Sequence, residues 1–128
     1  MKTFPIIAFA AAACFAALPA LADEAGELSI AQTHAGLAAK ATAIDGVHMH
    51  LHHALNCLVG PGGAGFDPSN ANPCAKAGNG AIPDSTDAGQ KTKLAAAVSK
   101  AEAGIAATDL AAAQAAATDT AAAIGAAK

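Results

Sequence analysis

From Ser29 onward the stripe Ile30, His34, Leu37, Ala41, Ile44, His48, Leu51, Leu55 and Leu58 advances in steps of four and three. That spacing predicts a helix over about 29–59, packed lengthwise on another helix. Ser29 is its expected N-cap, and Gly60-Pro61 its expected stop. Gly36 and Gly46 weaken it locally and suit a bend or a close approach. A second helical pattern runs over about 84–125, with Leu94, Val98, Ala101 and Ile105, then Leu110, Ala113, Ala117 and Ile124, on one side. Its stripe slips beside Gly104, where a kink or fold-back is expected. Its tail from Ala111 is nearly all alanine, which stays helical with little to bury. Leu94-Ala-Ala-Ala echoes Leu110-Ala-Ala-Ala without a sustained repeat.

Between the helices lies a connector over 60–83, with six glycines and four prolines. So long a link is unusual in a small domain. Cys57 and Cys74 are positioned to fasten its middle to the end of the first helix. A bridge between them closes 18 residues and contributes roughly 3 kcal/mol on chain-entropy grounds. Phe66 and Ile82 are the expected apolar anchors. The predicted fold is all-α: an antiparallel hairpin of two long helices joined by a Gly/Pro-rich, disulfide-stapled loop. Two helices hide their stripes poorly, so pairing of two chains into a four-helix bundle is the expected remedy, with a fold-back at Gly104 as the alternative.

The first residues change the picture. Lys2, an apolar run from Pro5 to Leu18 and Ala20-Leu21-Ala22 form the pattern of a secretory signal peptide over 1–22, leaving a single helical domain over 23–128. The expected location is therefore periplasmic or secreted. Cys14 lies inside the apolar run and lacks the setting of a lipidated cysteine. Export also supplies the oxidising conditions a Cys57–Cys74 disulfide needs. The remaining chain has no arginine, six lysines against ten acidic residues, and Phe66 as its one aromatic. That composition argues against nucleic-acid binding, and no second apolar run is long enough for a membrane span.

Chemistry concentrates in Val47–Val59, VHMHLHHALNCLV, which holds His48, His50, His52 and His53. Placing His48 at 0° on a helix puts His52 at about 40°, Asp45 at about 60° and Met49 at about 100°. His53, Cys57 and His50 fall on the other side, at about 140°, 180° and 200°. With Cys57 in a disulfide, the expected metal site is His48 and His52 with Asp45 or Met49, and His50 and His53 are the secondary candidates. Free thiols would instead move it to Cys57 and His53. His34, isolated in sequence, is expected to be a core histidine with Asp109 at its height in the hairpin. No CxxCH, HExxH, phosphate loop, EF-hand spacing or nucleophile elbow is present, so neither haem nor catalysis is expected.

Small, exported, alanine-rich and with histidines on helix faces over Gln32–Leu58, the chain resembles the small periplasmic metal-binding proteins of proteobacteria. The resemblance implies sequestration of copper or another divalent metal without enzymatic activity. It departs from that family in having no histidine on its second helix, which lowers the implied capacity. Imidazoles with a thioether suit copper ahead of nickel and zinc. A second reading from the same stripe is a structural or interaction protein that pairs, with a partner or as a homodimer, through its long helix.

Overall fold

A computed structural model describes residues 21–128; the expected signal peptide, with Cys14, falls almost wholly outside them. Five helices follow in order: α1 (Glu24–Lys40), α2 (Ile44–Val59), the single turn α3 (Ala81–Asp84), α4 (Ala88–Ala106) and α5 (Leu110–Gly125). No strand occurs among the described residues. The helix expected over 29–59 is thus two helices, and so is the one expected over 84–125. α1 packs on α2 and α5, and α4 packs on α5 and α2. The four long helices therefore pack on one another within one chain, and the fold-back expected beside Gly104 is in place between α4 and α5.

Helix starts follow local chemistry. Asp23 caps α1 by accepting from the Gly26 N–H at 2.9 Å, and Asp87 and Asp109 do the same for α4 and α5. Each satisfies a backbone donor that a helix start leaves free. Ser29, expected as a cap, instead sits inside α1.

Two corners turn the chain, one near the break expected beside Gly104 and one, at Ala41–Ala43, that was not expected. Neither Ala41-Thr42-Ala43 nor Ala107-Thr108-Asp109 contains glycine or proline. Ala41 and Ala107 leave their helices in the same extended conformation, at φ/ψ of −65°/137° and −69°/138°. Ala43 and Asp109 re-enter from extended backbone as well. Each freed carbonyl is held from across the bundle. Gln114 Nε2–H donates to Ala41 O at 2.9 Å, and His48 Nε2–H donates to Ala107 O at 3.0 Å.

These correspondences extend through the whole bundle. Ile44 matches Leu110, 66 residues on, and the same shift carries α1 onto α4 and α2 onto α5. Buried Leu28, Ala31, Ala35 and Ala38 map onto buried Leu94, Ala97, Ala101 and Gly104. Buried Val47, Leu51, Ala54 and Leu58 map onto Ala113, Ala117, Thr120 and Ile124. The chain is therefore two helix pairs whose boundaries and buried positions correspond at an interval of 66 residues. Alanine lets the helices approach closely, while α2 supplies most of the core bulk. At Gly104 an added Cβ would stand 2.5 Å from Leu51 Cδ1, so glycine there makes room for the leucine.

The connector over 60–80 folds back against α2. Cys57 and Cys74 form the expected disulfide, and both are buried. Phe66 and Ile82 pack against the core as anticipated. Buried Asn56 does more of the fastening. Its Nδ2 approaches the carbonyls of Asp67, Asn70 and Ala71 at 2.9–3.2 Å, and its Oδ1 accepts from Asp67 N–H. At the far end of the connector, fully buried Glu27 accepts from Gly80 N–H at 2.8 Å. Burial, with Asp84 and Glu24 nearby, pushes its carboxyl up to about 6.

Candidate metal centre

The break at Ala41–Ala43 determines where the histidines meet. A continuous helix would separate positions 34 and 50 by about 24 Å, at 1.5 Å per residue. Folding α2 back along α1 instead places them side by side. His34 Nδ1 and His50 Nδ1 are 3.3 Å apart, with one ring's N–H donating to the other. His53, three residues beyond His50, completes the group. Its ring meets His34 edge-on at a centroid distance of 5.0 Å and His50 at 5.8 Å. One ligand nitrogen from each of the three lies within 4.8 Å of the others.

That spacing matches what a metal needs. With metal–nitrogen bonds of 2.0–2.1 Å, two ligands of a tetrahedral ion stand roughly 3.3 Å apart. The His34–His50 pair already has that separation, and a ligand nitrogen of His53 lies within 4.8 Å of both. All three side chains are partly buried on the outer edge of the α1–α2 seam. His53 Nδ1 is shielded from solvent and has no hydrogen-bond partner. Burial lowers the pKa of His34 and of His53, and the neighbouring imidazoles lower both further. The shift favours the uncharged imidazole at His34 and His53, the form that binds metal.

The residues expected to form the site go elsewhere. His48 is a corner residue, bound to the Ala107 carbonyl. His52 faces the connector, where its Nδ1 lies 3.5 Å from Asp67 Oδ2, within ion-pair range but not in a hydrogen bond. Asp67 itself is held at about 2, chiefly by hydrogen bonds from Ser69 and Asn70. Asp45 is an exposed first-turn acid of α2. The grouping of His50 with His53 was foreseen, but only as a secondary site, and the disulfide removes Cys57 from it. His34, read as a core histidine, is the third member. Asp109, expected beside it, caps α5 instead.

Met49 is 42% exposed. It lies one helical turn before His53, a spacing at which side chains on one helix face meet. The disulfide leaves no thiolate here, so the donor set is the three imidazoles. Such a set can hold a transition ion with one coordination position open, and it contains no group suited to calcium or magnesium. No protein-family model matches this chain, and no curated protein or solved structure matches it either.

Proposed function

We propose that this is an exported metal-binding protein, non-enzymatic, that buffers a transition metal at His34, His50 and His53. The observation that carries the reading is the convergence of three imidazole nitrogens from both arms of one hairpin. Copper is the preferred ion, because imidazoles beside the Met49 thioether favour it over nickel and zinc. Uptake displaces the proton shared by His34 and His50, so affinity falls on acidification. The lowered pKa of His34 and His53 keeps the site loaded to a more acidic pH than ordinary histidines would.

Titration of the protein with Cu²⁺, Ni²⁺ and Zn²⁺ tests the proposal. The expected result is one ion per chain, with affinity at least 100-fold weaker in the His34→Ala/His50→Ala/His53→Ala variant. A His48→Ala/His52→Ala variant should bind as the native chain does. Binding that survives the triple substitution, or is lost only in the double one, would sink the assignment. The competing reading, pairing through a long helix, rested on one unbroken stripe. That stripe is now divided between α1 and α2, and its leucines Leu51, Leu55 and Leu58 are buried inside this chain.

A further inference from the structure

Away from the histidines, a cleft of about 840 Å³ opens between the end of α2, the start of the connector, α3 and α4. Its size falls within the range of small-molecule sites. Val59, Pro61, Ile82, Ala95 and Val98 give it apolar walls. Lys91, Ala95 and Val98 line one side of α4 at the spacing of a helix face. Lys91 is the cleft's one charged lining residue, and no acidic side chain lines it. It is partly buried and forms no ion pair among the described residues. In a chain of net charge −3, an apolar cleft with an unpaired ammonium is a local exception. The positions 66 residues earlier on α1 are Ala25, Ser29 and Gln32, so the Lys91 cation has no counterpart in the first half.

We infer that this cleft binds a small amphiphile with a linear apolar tail and one carboxylate, the tail against Val59, Ile82 and Val98 and the head at Lys91. Charge complementarity selects the head group, and the lining selects the tail. The test uses decanoate and decanol as probes on the protein with its disulfide intact, followed by calorimetry and amide chemical shifts. Decanoate should bind about five-fold more tightly than decanol, the order expected of a partly exposed ion pair. Shifts should concentrate on residues 59–64 and 91–99. Lys91→Gln should abolish the difference between the probes. Ala95→Glu, which sets a carboxylate in the cleft wall one turn from Lys91, should weaken decanoate more than decanol. Unchanged thermal midpoints would show both variants folded. Equal affinity of the two probes for the native protein would overturn the inference. So would a dimer, seen by light scattering, that occupies the cleft and excludes both probes.

Discussion

The two hairpins share a backbone plan and differ in what they place on the same seam. Where α1 and α2 bring His34, His50 and His53 together, the positions 66 residues on are Lys100, Ala116 and Asp119. Lys100 and Asp119 form an ion pair at 3.9 Å, on exposed side chains. The repeat therefore makes a cross-helix pairing position in each half. In one half it is filled with a surface ion pair worth little in stability. In the other it is filled with imidazoles that are partly buried and hold a donor nitrogen unpartnered. The fold supplies the geometry, and the side chains decide whether the position can take a ligand.

Transplanting the site is the strongest way to press this comparison. Lys100→His, Ala116→His and Asp119→His together should create a second metal site on α4 and α5, raising uptake from one ion to two per chain. Calorimetric stoichiometry would show it. A stoichiometry still at one would mean that local packing on the first hairpin, beyond the shared backbone, shapes the site.

Glu27 offers the next contrast, since its counterpart is exposed Lys93. The Glu27 carboxyl is raised from 4.5 to about 6, so between those values the folded chain holds more protons than the unfolded one. This group's contribution is therefore most favourable below pH 4.5 and declines as pH rises to 6, by about 2 kcal/mol in all. Glu27→Gln should remove that decline, raising the thermal midpoint at pH 7.5 by about 10 °C. A Lys93→Gln variant should show no such pH-dependent gain. Parallel melting curves for native and Glu27→Gln protein from pH 4 to 8 would refute the assignment.

The smallest difference expected is between the two corners. Loss of the His48 hydrogen bond to Ala107, or of the Gln114 hydrogen bond to Ala41, should each cost about 1 kcal/mol. Denaturant unfolding of His48→Ala and Gln114→Ala should give nearly equal losses. A much larger loss at His48 would show that the corners are alike in shape but not in strength.

Much of this was legible in the residues. The all-helical class, the disulfide, the anchors Phe66 and Ile82 and the interruption near Gly104 follow from spacing and turn chemistry. The corner at Ala41–Ala43 was not, because an extended Ala-Thr-Ala carries no glycine or proline. The face of α1 was also misread. Large residues drew the stripe through Ile30 and Leu37, yet Leu37 is 44% exposed while Ala31, Ala35 and Ala38 are fully buried. Alanine tolerates both surroundings at little cost, so it marks neither face. The third histidine was lost with the corner, since nothing but the fold-back brings position 34 to position 50. One signal was present: Ala-Thr recurs at 41–42 and 107–108, each pair followed two residues later by isoleucine or leucine. Superimposing the halves at that interval would have revealed both turns.

Because the histidines come from both arms of a hairpin, an ion held by all three would also act as a cross-link. It would join position 34 to positions 50 and 53 across the Ala41–Ala43 corner. Occupancy would then stabilise the folded chain by mass action, about 2.7 kcal/mol at a free-ion concentration 100 times Kd. A chain short of its ion would open more often and offer itself to proteases sooner. The lifetime of each molecule would thus follow the supply of metal around it, and the amount of protein would adjust to its cargo without any separate sensor.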